Sequence, residues 1–394
     1  MDAFRYNINM SYMYNNKEYV IDSTNITNFV IDYSYDTRNM PILFVTTSID
    51  KKVVDDMIKN SRTKTIILTI SKYTKDSSIT IQKNYIHDEF MYFLSDDLNN
   101  VDDLDYSDST ANSKDIYRKI TIGMIDLKLM NNNKKLINEV FINTNLLDIV
   151  LKNTSHMNLL IEPIPDLLVP RLIIPPLTSI SKYIKFIDSY NSLYPTAYRL
   201  FYDFNRTYLL SSAGNNIPAK GENINSIIIN VSKSTTADSK VQGMHIDKPG
   251  KAYIIELSDT DIKCLEDKAT DISYNKIIGI ASDGTYRSVD LTLQTPVKNS
   301  SEKVRIEMMT NDNIKQVDNI KADILNSSMS LYFAKTELDT SILTLNRKFI
   351  VKNYARLYNK DGVFILSSKK EIYTPDNGSF ILTTMITLKK AIVS

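Results

Sequence analysis

The chain has 394 residues, enough for two to four domains at roughly 150 residues each. Its 47 lysines and arginines balance 46 aspartates and glutamates, which argues against a surface that binds nucleic acid through its phosphates. The single cysteine, Cys264, excludes an intrachain disulfide and a cysteine-rich metal site. The composition predicts a soluble, intracellular, structured protein, with no secretory signal and no membrane span.

Residues 1 to about 95 predict one antiparallel β unit that carries a single helix. Aromatic and aliphatic residues alternate with polar ones over residues 4–14, a pattern typical of a half-buried strand. The helix is expected to follow Ser48 as its N-cap, with Val53, Met57 and Ile58 near one face. Further strands are expected at residues 19–21, 29–35, 42–47, 63–73 and 85–94.

Six aspartates then fall within a short, apolar-poor stretch. Their mutual repulsion predicts a mobile loop. The sharper alternative is a cation site, but the spacing lacks the glycine and the terminal glutamate of a calcium-binding loop. The aspartates are Asp96, Asp97, Asp102, Asp103, Asp105 and Asp108.

The middle of the chain is expected to alternate between strands, helices and one stiff segment. Residues 116–130 read as a strand or a strand pair, and Asn143 or Thr144 is a candidate cap for a short helix that reaches Leu151. Five prolines within residues 162–177 predict an extended connector, whose aliphatic side chains need burial against this chain or a neighbour. A second helix is expected from Thr178 or Ser179 to Tyr190.

The rest of the chain is predicted to be mainly β. A hairpin is expected at residues 197–212, followed by strands at residues 227–231, 252–257 and 276–281, whereas residues 310–345 are less clearly patterned and part of them can be helical. The closing meander has strands at 349–358, 363–373 and 380–389, with Asp-Gly and Asn-Gly turns. Its last strand is apolar on both faces, which favours assembly.

No residue pattern predicts catalysis, cofactor binding or a metal site. Cys264 lies in an amphipathic segment and reads as a buried structural thiol. The clusters His87-Asp88-Glu89 and His245-Ile246-Asp247 lack a second histidine at ligand spacing and read as surface residues. Neither a phosphate-binding glycine loop nor a nucleophile elbow is present. Paired carboxylates stay open, because two acids can meet from anywhere in a fold.

Three blocks of the sequence resemble the central baseplate hub proteins of contractile-tailed bacteriophages. The first is Met40-Pro41-Ile42-Leu43-Phe44-Val45 with the helix and strand that follow it. The second is Leu172-Ile173-Ile174-Pro175-Pro176-Leu177 with its helix, then residues 193–204 and 208–211. The third is the closing meander, residues 362–368 through 378–380. Together these blocks cover about half of the chain.

The resemblance implies a mainly β fold with α+β inserts, in which two tail-tube-like antiparallel β-barrel domains carry two smaller insert domains. It places the first barrel at residues 1–112 and the first insert at 113–196. The second barrel combines residues 197–240 and 335–394, and the second insert is 241–334.

The resemblance also implies a structural function without catalytic activity. Three copies would form a ring that adapts the hexameric tail tube to the threefold central spike and leaves a bore for tape-measure protein and DNA. The expected partners are two further copies, the tube, spike and tape-measure proteins and other baseplate proteins, with DNA only passing through and no membrane insertion. The expected location is the tail baseplate of the virion, after assembly in the host cytoplasm. Two alternatives stay open: another tail-tip or adaptor ring, and a cell-wall hydrolase with dispersed acidic residues.

Overall fold

The structure is a computed structural model of the full chain. It describes residues 4–36, 38–75, 80–94, 117–191, 193–194, 198–204, 206–218, 226–232, 243–247, 252–258, 262–265, 276–281, 286–290, 304–309, 328–333, 342–353 and 362–391.

The elements are mainly strands. The N-terminal part contains β1 (Arg5–Tyr14), β2 (Lys17–Ile21), β3 (Ile26–Ser34), β4 (Ile42–Asp50), α1 (Lys51–Asn60), β5 (Ile66–Lys75), β6 (Thr80–Leu94) and β7 (Tyr117–Asp126). The middle part contains α2 (Leu127–Lys134), β8 (Leu136–Ile137), β9 (Val140–Asn145), α3 (Leu146–Thr154), β10 (Leu159–Ile161), β11 (Leu168–Ile173), β12 (Thr178–Ser179), α4 (Ile180–Asn191), β13 (Tyr198–Tyr202) and β14 (Thr207–Ser211).

The remaining described elements are all strands. They are β15 (Ser226–Ser232), β16 (Gly243–Asp247), β17 (Ala252–Ser258), β18 (Ile262–Leu265), β19 (Lys276–Ala281), β20 (Tyr286–Asp290), β21 (Val304–Met309), β22 (Ser328–Phe333), β23 (Phe349–Asn353), β24 (Gly362–Asp376) and β25 (Ser379–Lys390). The predicted mainly β fold is confirmed. None of the helices in the described ranges is long and apolar enough to cross a membrane.

The pairings of eight strands form a cycle. The order runs β24–β3–β4–β7–β6–β5–β1–β25, β25 pairs again with β24, and every pair is antiparallel. The cycle closes at one register position, where Tyr6 lies opposite Phe380. β2 pairs with β1 beside the cycle. The N-terminal strands therefore depend on the C-terminal hairpin, β24–β25, to complete the cycle.

The same hairpin belongs to a second group of eight strands, in the order β16–β17–β15–β23–β24–β25–β22–β18. β24 pairs with β23 over residues 362–364 and with β3 over residues 368–373. The change of partner falls at a β-bulge between Leu366 and Ser368, where an extra residue redirects the strand. β15 pairs in parallel with both β17 and β23, so this group is not wholly antiparallel. Parallel neighbours need long crossovers, and each of these pairs is far apart in sequence.

The buried apolar residues form two cores. The sheet core spans both groups of strands and takes residues from Tyr6 to Leu388. The helix core lies around α2, α3 and α4 and takes residues from Leu129 to Leu209. The hairpin β13–β14 separates them, because alternate residues on a strand point to opposite faces: Phe201 belongs to the sheet core and Tyr202 to the helix core.

Most of the predicted strands are confirmed. In β1 the alternation buries Tyr6, Ile8, Met10 and Tyr12, as expected. The turn to β2 places Asn15 and Asn16 at φ 48° and 59°, a left-handed conformation that asparagine tolerates better than most residues. In the last strand, Phe380, Leu382, Ile386 and Leu388 are all buried, as their spacing predicted.

Two predicted helix starts were wrong by one or two residues, whereas α4 begins at Ile180, directly after the predicted cap Ser179. Asp50, not Ser48, caps α1 through its side chain, because β4 continues to Asp50. Asn145, rather than Asn143 or Thr144, caps α3, since residues 140–145 form a strand that sequence reasoning missed. In each case the strand runs on until its last polar residue can accept a hydrogen bond from the first turn of the helix.

Three regions differ more from the expectation. Residues 116–130 are not wholly β, because Asp126 ends β7 and caps α2 with a hydrogen bond from the Leu129 amide to its side chain at 2.9 Å. The proline-rich connector is extended, but residues 168–173 also form strand β11 against β9. Pro170 fits there because β11 is an edge strand in the described sheet. Within 310–345, residues 328–333 form strand β22.

Candidate assembly surfaces

The structure places the side chains of His87 and Asp88 on opposite faces of β6. His87 is exposed on β6, as predicted, with Nδ1 2.8 Å from the Thr69 hydroxyl. Asp88 lies on the opposite face of the strand, where its carboxylate pairs with Lys128 at 2.6 Å. Because the two side chains diverge, they do not form a ligand pair. Among the residues that the structure describes, no three His, Cys, Asp or Glu side chains could hold a metal ion.

The other candidate residues also lie apart. His245 is in β16, which pairs with β17, and Cys264 is in β18, which pairs with β22. The described pairings do not join these two strands, and the side chains of both residues lie outside what the structure describes. The acidic stretch at residues 96–108 lies outside the described residues.

A buried ion pair lies within the sheet core. Lys369 Nζ is 3.0 Å from Glu371 Oε1, and both side chains are almost fully buried. The Tyr373 hydroxyl donates to Glu371 Oε2 at 3.1 Å, and the Lys369 ammonium lies 4.2 Å from the centre of the Tyr33 ring. These contacts partly replace water for both charges. Enclosed in this way, the pair has a structural role and offers no open reactive site.

A second polar contact fixes the hairpin β13–β14 against the bulge of β24. The Arg199 guanidinium donates to the Leu366 carbonyl and lies 3.8 Å from the Asp36 carboxylate. The Ser367 hydroxyl donates to the same carboxylate at 2.5 Å. Burial raises the pKa of the nearby Asp203 carboxyl, and the charge of Lys369 partly offsets this effect. The bulge, where β24 changes partner, is therefore held by specific bonds.

An aromatic patch lies on the face of β4, β7 and β6 that points away from the sheet core. Phe44 and Phe93 flank Gly123 in the strand register, and the two rings meet edge to face with centroids 6.4 Å apart. A Cβ at position 123 would lie 2.2 Å from the Phe93 ring, so only glycine lets that ring lie flat on the strand. Phe93 is still partly exposed. The patch is therefore one apolar surface that is partly exposed among the described residues.

A larger apolar surface lies on a two-armed ribbon, which comprises residues 136–147 and 167–179 and is called the ribbon below. Its arms are joined by the antiparallel pairs β9–β11 and β8–β12. The ribbon packs into the helix core through Phe141, Val169 and Leu172. It also carries eight of the seventeen large apolar side chains that are exposed among the described residues: Leu136, Val140, Ile142, Leu147, Leu167, Leu168, Ile173 and Leu177. The register places Val140, Ile142 and Ile173 on one face of the β9–β11 pair.

The most exposed of these side chains also has an unusual backbone conformation. Leu177 is 74% exposed and has φ +61°, the left-handed region that a bulky residue rarely adopts. Such a conformation costs on the order of 1–3 kcal/mol and tends to occur at functional positions. The strained leucine follows Pro175-Pro176, so the turn presents an apolar side chain outward at the end of the ribbon.

The comparison with protein families decides the identity of the chain at the family level. The sequence profile described as "Bacteriophage PBS1 gene 109 protein" matches residues 3–391. The chain belongs to this family. The match includes both groups of strands and the ribbon. Among curated proteins, no sequence matches this chain.

Two solved structures of tail proteins share the fold of this chain. The tail protein from Neisseria meningitidis MC58 has a TM-score of 0.52 at 9% identity, with 98% of this chain and 97% of that chain covered. The 43 kDa tail protein of prophage MuSo2 from Shewanella oneidensis gives 0.52 and 9%, with 99% and 97% covered. A PdpA–VgrG complex gives 0.48 and 11%, with 98% and 65% covered. The predicted resemblance to phage tail proteins is confirmed.

Two features of these surfaces were not predicted in detail from the sequence: the buried ion pair and the exposed side chains of the ribbon. The ion pair could have been suspected from Lys369 and Glu371, which alternate with Lys370 on a strand and so share one face. The bulge that turns this face inward has no sequence signal. The exposed half of the ribbon was foreseen only as an aliphatic run that needs cover, because a proline-rich segment lacks a clear alternation.

Proposed function

We propose that the chain is a structural protein of a contractile phage tail and that three copies form the hub ring between tube and spike. The observation that carries this proposal is the pair of eight-strand groups that share the hairpin β24–β25. Three chains with two tube-like units each would offer six units to a hexameric tube and threefold symmetry to the spike. Family membership and the fold of two tail proteins support a place in the virion tail.

In this proposal each group of strands forms one barrel of the tail-tube type. The cyclic pairing of the first group supports its closure. The boundaries expected from the resemblance are 1–112 for the first barrel, 197–240 with 335–394 for the second, and 113–196 and 241–334 for the inserts. If each group of strands is one barrel, the first barrel also takes β7 from the first insert, and the second barrel takes β16, β17, β18 and β22 from the second insert. The shared hairpin would hold the two barrels side by side at a fixed angle, since neither can rotate without breaking pairs of β24 or β25.

The proposed role is mechanical rather than catalytic. The ring would bind the tube, spike and tape-measure proteins and other baseplate proteins, and its bore would let tape-measure protein and DNA pass without membrane insertion. The near-zero net charge, +1, supports a bore through which DNA passes without being bound, because proteins bind DNA phosphates mainly through clustered positive charge. Assembly would take place in the host cytoplasm before the tail is complete.

The mass of the purified protein in solution tests this proposal. Light scattering coupled to size exclusion is expected to give three times the 45.1 kDa chain mass, alone or after addition of the tube and spike proteins of the same phage. Electron micrographs of that species should show a ring with a central hole. A protein that stays monomeric under all of these conditions contradicts the proposal.

The alternative function, a cell-wall hydrolase, is tested separately. A cell-wall hydrolase would clear a zone in a zymogram of host walls, whereas a hub is expected to leave the wall intact. A clear zone that disappears with a single carboxylate substitution would replace the structural proposal by the hydrolase.

A further inference from the structure

We propose that the outer face of α1 is a docking surface for an acidic segment of the same chain, residues 95–116. Four positively charged side chains make up this outer face, which is called the basic face below. All four are exposed, and none forms an ion pair with a described residue: Lys51, Lys52, Lys59 and Arg62. The exposed carboxylate of Asp55 lies four residues from both Lys51 and Lys59 and is their neighbour on the helix. With Asp55 included, the basic face carries a net charge of +3.

The rest of α1 does little to neutralise the basic face. Its buried side contributes apolar side chains to the sheet core. The Asp56 carboxylate is already paired with the Lys64 ammonium at 2.6 Å and accepts a hydrogen bond from the Tyr12 hydroxyl at 2.7 Å. Lys51 and Lys52 lie in the first turn, at the positive end of the helix dipole, and this turn has no acidic residue. An acidic segment would therefore be stabilised by the helix end as well as by the lysines.

The strand order attaches both ends of the acidic segment beside α1. This helix joins β4 to β5, and the order β4–β7–β6–β5 means that it crosses the ends of β7 and β6. The acidic segment lies outside the described residues, but it joins the same two strand ends, because β6 ends at Leu94 and β7 begins at Tyr117. Tyr117 lies opposite Asp50, directly before α1. Near the other end, the Tyr92 hydroxyl donates to the Met57 carbonyl of α1 at 2.9 Å.

The charge and the length of the segment suit the basic face. Seven aspartates and one lysine give residues 95–116 a net charge of −6, so the rest of the chain carries +7. With its 10 residues α1 is about 15 Å long, a distance that 22 residues can span several times over. Because both ends of the segment are attached beside α1, the contact is intramolecular, and an acidic partner in solution would have to exceed its effective concentration. The same chain is therefore favoured as the source of the acidic segment.

Zero-length cross-linking tests the contact. A carbodiimide joins a carboxylate to a lysine amine, with loss of water, only where the two groups touch, and mass spectrometry identifies the joined peptides. We expect aspartates of residues 95–116 to join lysines of the basic face at least tenfold more often than Lys182 and Lys185, which are exposed on α4 and form no ion pair with a described residue. These cross-links should disappear in about 1 M salt, where the screening length falls to about 3 Å. Equal cross-linking to α1 and α4 overturns the proposal.

An isotope mixture separates the possible occupants. In an equal mixture of unlabelled and isotope-labelled protein, we expect each cross-link to join a segment and a lysine that carry the same label. Mixed-label cross-links would identify a second copy as the occupant and overturn the proposal, as would cross-links that the basic face forms only with added tube or spike protein. Because the contact lies within one chain, it does not rest on the proposed function, and a trimer can form with or without it.

A pair of matched charge variants tests the cause of the contact. In a C264S background, a nitroxide spin label on S107C reports the motion of the segment. We expect K51Q/K59Q to narrow the spectrum of the label, whereas K182Q/K185Q, which also removes two exposed lysines from a helix, leaves it unchanged. Exposed substitutions of this kind rarely affect folding, and circular dichroism checks this for both variants. A label whose spectrum is the same in the two variants overturns the proposal.

Discussion

The two cores of this chain are built from very different lengths of sequence. The helix core takes its residues from one continuous segment, from Leu129 to Leu209. The sheet core needs residues from both ends of the chain, because the first group of strands closes where Tyr6 meets Phe380. Bringing distant segments together costs chain entropy before any contact compensates for it. The helix core is therefore locally specified, whereas the sheet core depends on the complete chain.

This difference has a consequence for assembly. The shared hairpin occupies positions in both groups of strands, so neither group is complete before residues 362–390 are in place. A chain that ends early would carry unpaired edges on β1, β3, β22 and β23, which are templates for aggregation. These strands therefore complete their pairing within the chain only when residues 362–390 are present.

The largest expected effect comes from removal of residues 362–394. In the truncated chain we expect amides of β3 and β4 to lose their protection from hydrogen exchange, because β3 loses its partner β24. Amides of α3 and α4 should remain protected, since they pack in the helix core. Hydrogen exchange followed by mass spectrometry measures both regions in one experiment. Retained protection in β3 and β4 would show that the first group of strands folds without the hairpin.

A single substitution in the full-length chain tests the opposite case, damage to the helix core. Ile184 is fully buried in α4, and Ile184→Ala is expected to cost about 2–5 kcal/mol. Its effect on hydrogen exchange should be greatest in α3 and α4, and weaker in β3 and β4. Equal losses in all four elements would mean that the two cores unfold as one unit.

The next effect concerns the buried ion pair of the sheet core. Glu371→Ala is expected to destabilise the protein by about 3–5 kcal/mol, because it leaves the Lys369 ammonium buried without its partner. Denaturant unfolding measures the loss. The control is the double variant Lys369→Met/Glu371→Leu, which should recover most of the stability, since replacing both charges by apolar groups is often neutral. A double variant as unstable as Glu371→Ala would mean that the pair has favourable contacts beyond charge neutralisation.

Local signals in the sequence predicted most of the elements. Strict alternation identified β1 and β25, and the turn residues Asn15-Asn16 and Asn377-Gly378 fixed the hairpins, because these features depend on neighbouring residues alone. The missed helix α2 also had a signal, Asp126, but the apolar residues on both sides of it continued the pattern of a strand. Short apolar segments do not distinguish the two structures.

Pairing between distant strands had no such signal. Nothing in residues 362–376 indicates that β24 changes partner at a bulge, because both partners, β3 and β23, present similar apolar strands. The exposed half of the ribbon was likewise unpredictable in detail. Sequence alone indicated that the aliphatic side chains around Pro170 need cover, and the register of β9 and β11 was required to show which of them face outward.

A smaller effect is the pH dependence of the helix core. Burial raises the pKa of Asp188 to about 6, although its carboxylate accepts a hydrogen bond from the Leu193 amide at 2.9 Å. The folded state thus keeps this proton up to about pH 6, while the unfolded chain releases it near pH 4. The stability due to Asp188 is present at low pH and is lost as the pH rises from about 4 through 6. The change is on the order of 2 kcal/mol.

Asp188→Asn isolates this contribution, because asparagine does not ionise and its side-chain oxygen can still accept from the Leu193 amide. The free energy of unfolding of the variant minus that of the wild type should increase by about 2 kcal/mol between pH 4 and pH 7. Urea unfolding at the two pH values provides the measurement. A difference that stays constant would show that Asp188 ionises in the folded protein as it does in the unfolded one.

The smallest expected effects come from two helix caps, one in each region. The Asp50 side chain accepts a hydrogen bond from the Lys52 amide at the start of α1, and Asn145 accepts one from the Leu147 amide at the start of α3. Asp50→Ala and Asn145→Ala should each cost about 1 kcal/mol. Asn145 also donates to the Asp166 carboxylate, so its variant is expected to lose this further contact, whereas Asp50→Ala removes a carboxylate from the helix N-terminus. Hydrogen exchange should show fraying confined to α1 in one variant and to α3 in the other. Fraying of both helices in either variant would mean that the helix core and the sheet core are coupled, although the helix core comes from one continuous segment of the chain.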